Sequence, residues 1–352
     1  MHLKGKVTDK HCIGGVAGNR TTPIVVSICA STGLIMPKTS SRAITSASWT
    51  ADVVETVANV EFSIKEIKEI IRKTNVCLVW GGALGLAPVD DKIIKIERII
   101  NIDSTSQLLA SILSKKISVG SKYILIDIPF GRSAKITTKN QAEQLKNKFL
   151  EIGKKFGLKL EVFLSDGSEP VGNGIGPVLE MKDIIKVLKR NNPPKDLEEK
   201  SVIIAGKILE LSGKAEKNKG FQLAKEILES GKAFKKFKQI IEAQGGNVNK
   251  NRLKKAKFSH DIHSQDKIKI THIDNKLINK IARFAGCPED KEAGIYLWKK
   301  KHEIVAKGEK IMTFYADSEE KLNQAKNLYN KHKSKVIQFK HSWIYSLLCK
   351  LF

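Results

Sequence analysis

The sequence predicts an α/β fold: a mostly parallel mixed sheet flanked by helices, followed by a smaller α+β domain. Two observations predict it. Short apolar runs bounded by turn residues alternate with helical periodicity as far as about residue 245, and from about Ser259 the pattern shifts to short β-like pieces around helices. A third locates the chemistry. The run Lys38-Thr39-Ser40-Ser41-Arg42-Ala43-Ile44-Thr45-Ser46 packs hydroxyls around one arginine between an apolar segment and a helix.

Taken in order, Asp9 to Asn19 is a glycine-rich turn at the end of an apolar-poor opening, and it precedes a helix from about Thr21 to Ser31. After Leu34-Ile35-Met36 and the hydroxyl run comes a helix from Thr50 to Arg72. Val76-Cys77-Leu78-Val79-Trp80, Tyr123 to Ile128 and Leu158 to Phe163 read as buried strands. Helical patterns cover Ser106 to Val119, Asn140 to Phe156, Met181 to Lys189, Leu197 to Glu210, Phe221 to Glu229 and Lys232 to Ala243. Gly245-Gly246-Asn247-Val248-Asn249 and the lysines after it form the connection, so the division falls at 1–250 and 251–340. In the second part Ile268 to Thr271 and Ile311 to Tyr315 are strand-like, with helices beginning near Asn275 and Ser318. The apolar tail, 341–352, is too short to span a bilayer and reads as a docking helix from Trp343 to Phe352.

Composition bounds the function classes. At 352 residues and 41% hydrophobic content the chain can bury substantial cores. No run approaches the roughly 20 apolar residues of a membrane span, and Met1-His2-Leu3-Lys4 lacks a signal-peptide core, so the reading is cytoplasmic with no membrane partner. Cys12, Cys29, Cys77, Cys287 and Cys349 are scattered and read as reduced thiols. The net charge of +25 is dominated by lysine spread over amphipathic helices, without RNA-binding aromatics. That is a solvated surface rather than a nucleic-acid footprint, and Lys250 to Lys257 is the best candidate patch for nonspecific polyanion contact.

The residue types at the turns suit phosphate. Unpaired N–H groups at a helix start carry partial positive charge, hydroxyls donate to oxyanions, and a guanidinium grips phosphate in two places. Glycines at 14, 15 and 18 let a phosphate approach the backbone, and Lys10 supplies a point charge. The turn matches neither GxxxxGK[ST] nor GxGxxG, so neither a P-loop nor a dinucleotide fold is indicated. Lys135 follows a buried strand in Gly131-Arg132-Ser133-Ala134-Lys135, and ligands gather at strand C-termini in such sheets. By itself, Asp103 reads as the N-cap of the helix that carries Ser111. Cys12 reads as a packing residue, since a thiol donates weakly.

The order of motifs is more specific than any one of them. DKHCIGGVAGNRTTP (9–23), KTSSRAITS (38–46) with Thr50, Asp52 and Glu55, VWGGALGLAP (79–88), ASILSKK (110–116), GRSAK (131–135) and SDGSEPVGNGIGP (165–177) resemble the thymidine and pyrimidine-nucleoside phosphorylase family, in its archaeal AMP phosphorylase branch. Ala285-Gly286-Cys287-Pro288, Glu292 to Leu297 and Lys307-Gly308-Glu309 resemble that family's C-terminal domain. The resemblance implies a nucleoside phosphorylase/phosphoribosyltransferase-like catalytic domain and phosphorolysis of AMP to adenine and ribose 1,5-bisphosphate, with CMP and UMP as further substrates. It implies Asp103 as proton donor, and Gly15, Ser41, Arg42, Ala43, Ile44, Thr45, Ser46, Thr50, Ser111 and Lys135 as the residues that bind AMP and phosphate. Lys10, His11 and Lys115 are secondary candidates. No metal or other cofactor is implied, inorganic phosphate being a substrate. The alternatives are a weak or inactive homologue retaining the anion pocket, and a pyrimidine-nucleoside phosphorylase.

Two departures from the family carry expectations. Its signature has glycine immediately before the matching threonine, where this chain has Trp49; a positive φ there would force the indole to reshape the turn. The family also carries an N-terminal stretch with most of a helical domain, of which about 97–119 stands as a remnant. The expected partners, beyond AMP and phosphate, are therefore a homo-oligomer or a separately encoded N-terminal half.

Overall fold

The computed structural model describes residues 5–43, 45–84, 105–248 and 253–341. Its first strand is one that hydrophobicity does not announce. β1 (Thr8–Cys12) is polar in sequence yet mostly buried, because its charges are matched inside the fold. The Asp9 carboxylate lies 2.7 Å from Lys116 Nζ and 3.2 Å from Lys38 Nζ, and Lys10 Nζ donates to Thr21 Oγ1 at 2.7 Å. Burying ions is tolerable only with such pairing.

β2 (Met36–Ser40) pairs in parallel with β3 (Val76–Trp80), and β1 pairs in parallel with β4 (Tyr123–Phe130), which pairs with β5 (Lys159–Asp166). A parallel bridge between Val7 and Ile35, with Thr8 N–H donating to Ile35 O at 2.8 Å, joins the two sets. The strand order is therefore β3-β2-β1-β4-β5. From β1 the chain moves outward to β2 and β3, then returns to the other side of β1 for β4. Such a reversal opens a crevice at the C-terminal ends of β1 and β4, where ligands bind in open α/β sheets.

Helices cover the sheet. α1 (Thr22–Ala30) is buried along its whole length, which explains its lack of an obvious polar face. The predicted helix from Thr50 to Arg72 is two helices, α2 (Thr50–Val54) and α3 (Ile64–Thr74). The break has a local cause: Ser63 and Glu66 form a capping box at the start of α3, while the intervening Val57 and Val60 are buried and Val60 O accepts from Trp80 N–H. A 3-10 turn (Gly81–Leu84) follows β3. Then come α4 (Thr105–Ser118), α5 (Lys139–Lys155), α6 (Pro177–Lys189), α7 (Lys195–Leu211), α8 (Gly220–Glu229) and α9 (Lys232–Ala243), close to the predicted spans.

The C-terminal part builds two small antiparallel sheets. One has the order β6-β9-β11-β7, from β6 (Gly174–Ile175), β7 (Phe258–His263), β9 (Gly294–Leu297) and β11 (Lys310–Ala316). The other has the order β10-β8-β12, from β8 (Ile268–Ile273), β10 (Ile304–Val305) and β12 (Ile337–His341). α10 (Asn275–Phe284) and α11 (Glu319–Val336) pack with them. The two parts interlock across the sequence division, since β6 belongs to the earlier segment and Ala17, Ala47 and Ile175 sit in the C-terminal core. Residues 342–352, with the expected docking helix, lie outside the described residues, as do Lys250 and Cys349.

Among the described residues, Cys12, Cys29, Cys77 and Cys287 are free thiols, and no helix is long and apolar enough to cross a membrane. The reading of the lysines as a solvated surface needs correction at four of them. Lys10, Lys38, Lys116 and Lys200 are buried, the last 3.3 Å from the buried Asp127 carboxylate. Sequence could not reveal this, because the matching carboxylates are distant in the chain.

Candidate functional site

The loops after β1, β2 and β4 converge on the crevice. Gly14 and Gly15 both have φ of +86°, and a Cβ on Gly15 would stand 2.3 Å from the Lys135 backbone nitrogen. Only glycine allows this approach. The turn after β1 and the one after β4 therefore touch where the predicted residues Gly15 and Lys135 lie. The side chain of Lys135 is exposed.

Arg20, on the turn after β1, holds the loop after β2. Its Nε is 2.7 Å from the buried Glu180 carboxylate on α6, and its guanidinium donates to Ser48 O at 2.9 Å and Thr50 Oγ1 at 3.4 Å. Glu180 also accepts from the Ser48 hydroxyl and from Gly176 N–H. Neither Arg20 nor Glu180 was singled out from sequence. Arg20 directly precedes a helix start, but nothing local links it to a carboxylate 160 residues away.

The hydroxyl run itself is arranged differently from the phosphate grip expected of it. The Arg42 guanidinium is half-buried and already engaged: it clamps both Glu55 oxygens, at 2.8 and 2.6 Å, and reaches Glu61 at 2.8 Å. The Trp80 ring lies 4.9 Å from its carbon. Hydrogen bonds from Arg42 hold the Glu55 carboxyl down at about 2, and Lys291 at 2.7 Å contributes. An incoming phosphate would have to compete for this arginine with three carboxylates, since Asp52 also lies 3.8 Å from it. Asp52 accepts from Ala43 N–H and Trp49 N–H, each at 2.8 Å, which closes the loop onto α2. Ser41 and Ser46 are half-buried, Thr45 is exposed and Thr50 is buried. Ile44 and Asp103 lie outside the described residues.

Trp49 fits without distortion. Its φ of −126° and ψ of 176° are extended backbone open to any residue, at the N-cap of α2. The positive φ that would have conflicted with an indole is not present.

The residues beneath the crevice differ in what they can offer. Lys10 is not a free point charge; it sits under the start of α1 on Thr21 and Thr22, and burial pulls its amine below the ordinary lysine value. His11 is half-buried, and its imidazole is pushed well below the usual range by burial and then by Lys116, Lys38, Lys10 and Lys115. A neutral imidazole results, able to donate and to accept. The Cys12 thiol is pushed up to about 11 by burial and by Asp127, so it stays protonated, as its reading as a packing residue requires. Ser111 and Lys115 lie one turn apart on α4 and share a face. The next residue, Lys116, pins that helix to β1 through Asp9.

The α/β domain model of the glycosyl transferase family matches residues 4–234, and the pyrimidine nucleoside phosphorylase C-terminal domain matches residues 269–334. The chain belongs to this glycosyl transferase family. Its relatives include an AMP phosphorylase of Pyrococcus horikoshii, 49% identical over 321 residues, 91% of this chain and 64% of that protein. The AMP phosphorylase of Pyrococcus abyssi has the same identity and coverage. A protein of Legionella pneumophila named as a candidate thymidine phosphorylase is 48% identical over 92% of this chain and 62% of its own length. The chain thus spans less than two thirds of the length of these relatives. Among solved structures, the anthranilate phosphoribosyltransferase of Thermus thermophilus is similar with a TM-score of 0.58 and 16% identity, covering 70% of this chain and 80% of that one. That likeness supports the α/β family fold.

Proposed function

We propose that this glycosyl transferase family member phosphorolyses AMP to adenine and ribose 1,5-bisphosphate, with CMP and UMP as further substrates. The observation that carries the reading is the approach of Gly15 to Lys135 at the sheet crevice, in a chain whose relatives over 91% of its length include AMP phosphorylases. Supporting it, the loop after β2 with Ser41, Arg42, Ala43, Thr45, Ser46 and Thr50 is tied to the turn after β1 by Arg20. α4, with Ser111 and Lys115, is fastened to β1 by the ion pair of Lys116 with Asp9.

In this reading a phosphate oxygen attacks C1′ of the nucleotide as the C1′–N9 bond breaks. The bonding pair leaves with adenine, which takes up a proton. Phosphate is a poor nucleophile and adenine a poor leaving group, so the chain must orient one and protonate the other. Loop hydroxyls and N–H groups orient phosphoryl oxygens, and neutral His11 can hydrogen-bond a sugar hydroxyl. Asp103 is assigned the proton by its motif alone. An ordinary aspartate titrates near pH ~3.9, so that role requires burial or a nearby negative charge to raise it. No metal enters this scheme.

A pyrimidine-nucleoside phosphorylase is the second reading, favoured by the Legionella relative. The test is adenine release from AMP with and without inorganic phosphate, beside CMP, UMP and thymidine. Phosphate-dependent adenine release with ribose 1,5-bisphosphate is expected. Preference for thymidine would transfer the assignment to the second reading. No release from any substrate, even with the preceding half of a relative supplied as a separate chain, would leave only a phosphate-binding homologue.

A further inference from the structure

The N-terminal turn of α10 is driven into the loops that form the crevice. Asn275 at its start is completely buried. Its Oδ1 accepts from Ala17 N–H at 3.0 Å, and its Nδ2 donates to Ser133 Oγ at 3.1 Å and to Gly167 O at 3.0 Å. Its own backbone N–H donates to Ser133 Oγ at 3.0 Å. One turn later, Asn279 Oδ1 accepts from Ala47 N–H at 3.0 Å, and its Nδ2 returns to Asn275 O at 3.1 Å.

The chemistry admits one orientation. Ala17 offers a donor and Gly167 an acceptor, so only an amide with oxygen toward the first and nitrogen toward the second satisfies both. Aspartate would keep the acceptor and lose both donors; alanine would lose all three side-chain bonds. The places held are as telling. Ala17 is two residues after Gly15, Ser133 is two before Lys135, and Ala47 directly follows Ser46.

We propose that Asn275, supported by Asn279, is a positioning residue of the C-terminal part that sets the spacing between the loops after β1, β2, β4 and β5, and so the phosphate-binding geometry. The consequence for activity rests on the phosphorolysis reading; the loop coupling does not. A buried, fully satisfied polar network holds its members in one arrangement, whereas apolar packing tolerates small slips. The C-terminal part thereby acts on the reaction through the spacing of these loops.

The experiment uses the full chain and compares Asn275→Ala, Asn275→Asp and Asn279→Ala with Leu322→Ala, a truncation in the same core that removes none of these bonds. Amide hydrogen exchange and steady-state phosphorolysis are both read. Asn275→Ala should speed exchange of residues 13–20 and 131–137 by about tenfold, the loss expected for one to two hydrogen bonds, while β1 and β4 keep their rates. It should raise KM for phosphate by about tenfold with kcat nearly unchanged. Asn275→Asp should loosen 131–137 and 165–168 more than 13–20, since its acceptor survives. Leu322→Ala should do neither selectively. If Asn275→Ala fails to fold, the half-buried Asn279→Ala must still loosen 45–48 selectively. Unchanged loops in folded variants, or the same even response in Leu322→Ala, would overturn the proposal. Absence of phosphorolysis in the wild-type chain, with selective loop loosening in the variants, would leave this coupling standing and remove the functional reading.

Discussion

Replacing Gly15 by alanine tests the crevice geometry at its tightest point. Two penalties are separable. The first is conformational: φ of +86° is unfavourable for an L-residue, and such strain costs about 1–3 kcal/mol. The second is contact. The new Cβ would lie 2.3 Å from Lys135 N and 2.6 Å from Lys135 Cβ, against an ordinary contact of 3.4 Å, so the Lys135 backbone must retreat by about 1 Å. A misplacement of about 1 Å among positioning groups can reduce turnover by roughly 100-fold. Gly14→Ala supplies the control, since Gly14 has the same φ of +86° with nothing within 4 Å of its Cβ position. Both variants should lose about 1–3 kcal/mol in urea unfolding from strain. Only Gly15→Ala should then lose about 100-fold in kcat/KM with phosphate as the varied substrate. Equal kinetic effects of the two variants would refute the claim that the two loops abut.

Glu55→Gln weakens the clamp on Arg42 and should tighten phosphate binding by about tenfold in titration calorimetry; unchanged affinity would place Arg42 out of reach of the anion. Lys116→Met strips the buried Asp9 of its nearer cation and should cost about 3–5 kcal/mol in urea unfolding, whereas a loss below about 1 kcal/mol would show the pair to be dispensable. Asp183 is pushed up to about 6 by burial, against hydrogen bonds from Gly174 N–H and Asn173 N–H. Because its folded value lies above the unfolded one, its stabilising contribution is complete below pH 3.8 and is lost as pH rises through about 6. Wild type should therefore lose about 3 kcal/mol relative to Asp183→Asn between pH 3 and pH 7, and parallel stability curves would contradict the shift.

Legibility in the sequence followed the kind of force involved. β3, β4 and most helices were readable because apolar periodicity reports burial locally. β1 was not: Asp9 and Lys10 are buried because Lys38, Lys116 and Thr21 meet them, and such pairing leaves no local pattern. The capping box Ser63–Glu66 was a local signal, and it explains why the stretch read as one helix from Thr50 to Arg72 forms two. For the site, the motifs pointed to turns that the fold brings together at Gly15 and Lys135, and glycine at 15 indicated a close approach without naming Lys135 as its neighbour.

By itself, the sequence determined the alternation of strand and helix, the glycine and hydroxyl turns, and the resemblance to a phosphorolytic family, all carried by residues adjacent in the chain. Tertiary structure alone decided who holds whom. It committed Arg42 to Glu55 and Glu61, gave Trp49 an extended backbone, joined Arg20 to Glu180, and set Asn275 among three loops. The reason is physical: apolar burial is nondirectional and is written in periodicity, whereas hydrogen bonds and buried ion pairs depend on positions within a few ångströms, which only the folded chain creates.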